Sequence, residues 1–209
     1  MSALLQLSRL IDRLNEFVGR WVSWLVLAAV LISAVNAVVR KVFNTSSNAF
    51  LEIQWYLFAG VFLLAAGYTL LRQEHVKIDV VLGRFSRRTQ VKVEIFGLLV
   101  FLMPFVVVVI ELVTPLVIQA YQSGEMSSNA GGLIRWPVYA LLPAGFVLLG
   151  LQGVSEVIKR IAFLQGKADD PGKKKQQEKS AEEELAEEIR RRAEADAAAA
   201  AAAAQGAQR

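Results

Sequence analysis

The sequence predicts an all-α membrane protein of four transmembrane helices, with amphipathic interfacial helices at the N-terminus and between spans two and three, and with both termini cytoplasmic. Three observations predict it. The first is composition: 209 residues that are 55% hydrophobic, with a mean hydropathy of +0.41, lie outside the range of ordinary soluble domains. The second is a set of four apolar stretches, each able to cross a hydrocarbon core of about 30 Å as a helix. The third is the placement of the 23 basic residues, of which Arg40, Lys41 and Arg135 alone fall in loops one and three. By the positive-inside rule, the ends carrying the rest, including both termini, face the cytoplasm. The net charge of +4 is thus a topology signal rather than a nucleic-acid footprint. Absence of cysteine excludes disulfides and thiolate metal sites.

The elements follow in order. Leu7, Leu10, Ile11, Leu14, Phe17 and Val18 recur at helical spacing with Arg9, Asp12, Arg13 and Glu16 between them, predicting an amphipathic helix over 1–20 that lies along the inner interface. This mixed-charge lead, and an apolar run longer than the roughly 7 to 15 residues of a signal core, argue against a cleaved secretory signal. The spans are expected at about 21–40, 52–71, 94–120 and 136–158, the third tilted or emerging into the headgroups. Between spans two and three, Ile78, Val81, Leu82 and Phe85 form one apolar stripe, with Lys77, Arg84 and Arg88 able to reach phosphate or water. They predict a second interfacial helix over about 75–88. The loop YQSGEMSSNAGGLIR, rich in Gly, Ser and Asn, is expected to turn irregularly at the outer surface. The membrane domain, 21–162, gives way to KADDPGKKKQQEK, and 163–209 reads as a polar linker and a solvated, mobile tail helix. There, Ser180 with Glu183 fits a capping box, and Glu187–Arg191 and Glu188–Arg192 are spaced for ion pairs.

Ionisable groups at membrane depth are the first candidates for function, because each costs about 2.5–3.5 kcal/mol on insertion scales. Arg40, Glu52 and Glu111 qualify, and all three reach a similar outer level. The expected arrangement is a staple in which Arg40 snorkels to pair with Glu52, with Glu111 the next partner to consider. A proton or ion relay would need further polar steps, and the span centres offer no continuous path. His75, the sole histidine, could in principle ligate a metal or haem or sense pH. With no second histidine or cysteine, a junction role is favoured, Asp79 four residues later orienting the imidazole against the inner ends of the spans. The chain has no Gly-rich phosphate loop, no G-x-S-x-G and no H-E-x-x-H, so no catalytic residue, cofactor or metal site is expected and it reads as a non-enzyme.

Three segments carry a resemblance: NAVVRKVF followed by Glu52 at the start of the next helix, AGYTLLRQEHVKIDVVL after span two, and SSNAGGLIRWPVYALLPAGFVLLGLQ entering span four. In order and spacing they resemble the small, four-helix membrane subunit of tripartite ATP-independent periplasmic (TRAP) transporters. The resemblance covers most of residues 20–160, and the acidic, alanine-rich tail lies outside it. It implies a multi-pass protein of the bacterial inner membrane acting as a stator for a large permease subunit. That subunit would carry sodium coupling and the substrate site, and a periplasmic binding protein would deliver an organic acid. In this setting Arg40, Glu52, His75, Asp79 and Glu111 are expected to hold interfaces. Two other readings are a membrane anchor of a redox complex, which would need a partner's histidine, and a homo-oligomeric channel lined by Arg40, Glu52 and Glu111.

Overall fold

The computed structural model describes residues 2–44, 47–73, 84–170, 172, 185–186 and 188–192. Four helical runs within it are long and apolar enough to cross a membrane, as the sequence predicts. Helix α1 spans Ser2–Phe43 and α2 spans Asn48–Leu71. The third run is composite: α3 (Arg87–Gly97), a π-helical turn (Leu98–Leu102) and α4 (Met103–Ser123). Helix α5 spans Trp136–Leu164.

Where an interfacial helix over 1–20 and a separate first span were expected, one uninterrupted helix of 42 residues forms. At about 1.5 Å per residue it is some 63 Å long, roughly twice a hydrocarbon core. No proline interrupts it, and its N-terminal half is held by packing, since Ser8, Ile11 and Asn15 are buried. The expected helix over 75–88 falls largely outside the described residues, as do His75 and Asp79. Its described end is not helical up to α3: residues 84–86 turn, and Ser86 caps α3 by accepting a hydrogen bond from the Thr89 N–H.

The π-turn has a local cause. Pro104 lacks an N–H and cannot complete a regular α-turn, and the Met103 N–H immediately before it reaches back to the Leu98 carbonyl, a five-residue bond. At its far end, α4 stops on Gly124, whose left-handed φ of 61° a side chain would strain.

Helix α5 is the hub, packing on α1, α2, α3, the π-turn and α4. A third of its most apolar window is buried, against 6–11% for the other three runs, so those present most of their apolar surface outward. Close approach at the hub needs a bare backbone: a Cβ on Gly145 would sit 2.5 Å from the Leu63 carbonyl oxygen of α2. Near the outer loop, Tyr121 and Trp136 meet edge to face at 5.4 Å and join α4 to α5.

A second compact unit comprises Asp169–Arg209. Residues 188–192 are helical there, and Glu188 pairs with Arg192 at 2.7 Å as the spacing predicts. Glu187 and the capping pair Ser180 and Glu183 lie outside the described residues.

Candidate functional site

Two polar clusters form, one near each end of the bundle. The first lies where the N-terminal half of α1 meets the C-terminal half of α5. Ser8, Asp12 and Asn15 share one face of α1, and Gln152, Ser155, Glu156, Lys159 and Arg160 share one face of α5, by three- and four-residue spacing. Asp12 collects three donors: Ser155 Oγ at 2.6 Å, Gln152 Nε2 at 2.9 Å and Lys159 Nζ at 3.1 Å. The Ser155 hydroxyl also accepts from Ser8 at 2.7 Å, and Gln152 Oε1 accepts from Asn15 Nδ2 at 3.0 Å. Among the described residues the Asn15 Oδ1 has no hydrogen-bond donor, and it rests over Gly67 of α2, where a Cβ would overlap it.

The chain of charges continues along α5. Lys159 reaches Glu156 at 2.5 Å, Glu156 pairs with Arg160, and Arg160 Nε meets Glu94 of α3 at 2.7 Å. Arg87 approaches the other Glu94 oxygen at 3.8 Å. Three carboxylates thus face three cations, so the seam is close to neutral. Glu156 and Arg160 are 1% and 4% exposed, which makes this pairing obligatory: either charge alone in a low-dielectric core would be far costlier than the pair. Next to the seam, Glu16 of α1 meets Arg72 at 3.2 Å, and the Arg72 guanidinium lies 5.3 Å over the Tyr68 ring. This pair is exposed and contributes little, about 0–1 kcal/mol.

The second cluster is built on Glu52, in the first turns of α2 and 4% exposed. Its carboxylate accepts from Ser127 Oγ, from Asn129 Nδ2 at 2.7 Å and from the Leu133 N–H at 2.7 Å. All three belong to the 124–135 loop. That loop, expected to be irregular, is a small hydrogen-bonded hairpin: Ser127 N donates to Leu133 O and Arg135 N to Glu125 O, each at 2.9 Å, around a bridge between Met126 and Ile134. The carboxylate supplies the acceptors that its donors would otherwise lack. Asn48 and Tyr56 of α2 tie the same loop through the carbonyls of Ala130 and Ile134. Arg135 closes its base on Glu125 and Tyr139.

The predicted candidates are therefore not brought together. Arg40 and Glu52 do not pair. Arg40 lines a groove between α1 and α2 with Leu51 and Gln54, whereas Glu52, about 100° further round α2 than Leu51, turns to the loop. Glu111 is exposed on α4 and makes no ion pair among the described residues. Replacing Arg40 with alanine should accordingly leave the melting temperature of the lipid-free, detergent-purified chain unchanged. The Arg40→Ala/Glu52→Ala double variant should match Glu52→Ala alone, and thermal melting of the four proteins checks this; a melting temperature that depends on both residues together would restore the staple.

The seam was missed in the sequence because Asp12 reads as solvent-facing on an interfacial helix and Gln152–Lys159 as the trailing end of a span. The available signal was a second polar periodicity, at 8, 12 and 15 and at 152, 155–156 and 159–160.

A family model described as "Tripartite ATP-independent periplasmic transporters, DctQ component" matches residues 29–163. It covers the C-terminal part of span one, spans two to four and the Glu52 loop, and it reaches the α5 half of the seam but not Ser8, Asp12 or Asn15. No curated protein and no solved structure matches the chain.

Proposed function

Because the chain belongs to the DctQ component family of tripartite ATP-independent periplasmic transporters, and so is a small permease subunit of such a transporter, we propose that it acts as the stator of the complex. It holds a large multi-span permease subunit in the bacterial inner membrane, with both termini cytoplasmic and the 124–135 loop facing the periplasm. The large subunit carries the sodium and substrate sites, a periplasmic binding protein delivers an organic acid, and this chain needs no cofactor of its own. Family membership favours this reading over a redox-complex anchor or a homo-oligomeric channel.

One observation carries the stator role. The buried charged side chains among the described residues, Glu52, Glu156 and Arg160, are each bonded within this chain, to a loop or to another helix. Their charge holds helices and a loop in place instead of lining a solute path. The apolar faces of α1, α2 and α4, exposed at Phe62, Trp55 and Leu112 among others, offer surface for lipid and for the large subunit.

Reconstitution tests this. The chain alone in liposomes should give no sodium-dependent uptake of an organic acid, and the chain joined to its large permease subunit and loaded binding protein should restore it. Uptake by the lone chain, or full uptake by the other two components without it, would overturn the stator role.

A further inference from the structure

The groove that receives Arg40 has a chemistry of its own. It occupies about 500 Å³ between α1 and α2 and is lined by Ser33, Asn36, Arg40, Lys41, Asn44 and Gln54 among others. On α1, Ser33, Asn36 and Arg40 recur every three to four residues, so a polar stripe runs about 10 Å along a helix that otherwise presents valine, leucine and alanine, and Asn44 follows just past the helix end. Gln54 Oε1 accepts from Ser33 Oγ at 2.7 Å, which leaves the Gln54 amide hydrogens for the groove. No carboxylate lines it, and neither Arg40 nor Lys41 has a carboxylate partner among the described residues. Two cations and three carboxamides thus face one open space beside a membrane-spanning helix pair.

The groove's continuation toward mid-membrane is apolar. Val30 and Val26 follow Ser33 on the same side of α1, and Phe58 and Phe62 follow Gln54 on the same side of α2, at three- to four-residue steps. All four are exposed, Phe62 at 80%. The occupant that fits must therefore be anionic at one end and apolar along the rest, with the anion at the end of the bundle that carries the 124–135 loop.

We propose that this groove is a binding site for an anionic phospholipid, the phosphodiester held by Arg40 and Lys41 with the carboxamides of Asn36, Asn44 and Gln54, and the acyl chains lying between the valines of α1 and the phenylalanines of α2. The proposal uses the reading of α1 and α2 as membrane spans and is independent of the stator role. Charge complementarity selects the lipid: a phosphate accepts from several donors at once, and the apolar furrow below has no use for a free anion.

Native mass spectrometry of the full chain, released from detergent with equal amounts of phosphatidylglycerol and the matching diacylglycerol, tests it. The parent should retain phosphatidylglycerol preferentially. Arg40→Gln and Lys41→Gln should each lower that retention about fivefold, in keeping with the attraction of a single cation to an anionic lipid. Arg9→Gln/Arg13→Gln, which removes the same charge at the other end of α1, should retain the lipid like the parent. Equal retention by the parent and by an Arg40→Gln/Lys41→Gln variant would overturn the proposal. So would displacement of the lipid by millimolar inorganic phosphate, which would make this a soluble-anion site. Absence of lipid preference in the parent, together with loss of the large permease subunit from the variant, would assign the groove to a protein carboxylate instead and equally overturn it.

Discussion

Arg160→Ala should remove most of the folded protein. Arg160 is 4% exposed and is shared by two carboxylates, Glu156 on its own helix and Glu94 on α3. Truncating it leaves buried Glu156 with Lys159 alone and Glu94 with the more distant Arg87, and removes the one cation that joins the two carboxylates across the contact between α3 and α5. Breaking a buried ion pair by removing one partner costs about 3–5 kcal/mol, a large part of the roughly 5–15 kcal/mol that holds a typical domain together. The expected readout is loss of the monodisperse peak in detergent size-exclusion chromatography and a fall in melting temperature well beyond that of any exposed substitution. Arg160→Met combined with Glu94→Gln and Glu156→Gln should recover much of the loss, because it removes the buried cation together with both of its carboxylates and leaves Lys159 paired with Asp12. If the single and triple variants are equally unstable, the guanidinium acts through its packing. If Arg160→Ala melts like the parent, the seam is not what joins these helices.

Glu52→Ala should release the 124–135 loop while leaving the four helices in place. The substitution deprives Ser127, Asn129 and the Leu133 N–H of their common acceptor, and nothing else described near the loop replaces it. Amide exchange at Leu133 and its hairpin neighbours should accelerate by about an order of magnitude or more, as expected for a hydrogen-bonded loop that opens locally. Exchange within α5 should stay slow. Glu52→Gln keeps the shape and one acceptor oxygen but turns an amide toward the same donors, so it should fall between parent and alanine. Under the proposed function the loop is on the face that meets the binding protein. Uptake should then fall in both variants at unchanged recovery of the complex, whereas a parallel loss of the large subunit would place Glu52 at the subunit contact.

The apolar runs made the four spanning helices legible, because length and hydrophobicity alone decide whether a helix can occupy a hydrocarbon core. The family was legible as well, since its motifs lie on those runs and in the turns between them. The single helix α1 was less so: the amphipathic pattern before Trp21 describes a surface helix and a helix packed on a neighbour equally well, and nothing local distinguishes lipid from α5 as the covering surface. The Glu188–Arg192 pair was correct because it is a contact within one turn, fixed by helical spacing.

Partners far apart in the chain were decided by the tertiary structure. Arg40 and Glu52 are close in sequence and of opposite charge, yet the helical phase of α2 turns Glu52 toward the 124–135 loop and leaves Arg40 over the groove. Asp12 and Lys159 are separated by most of the chain and meet because α5 packs beside the N-terminal half of α1. Composition and hydropathy determined that this chain crosses a membrane, and where its helices run, because those are properties of each segment with its solvent. Which charges neutralise one another depends on the rotation of each helix about its axis, and that is set by the packing of all four together.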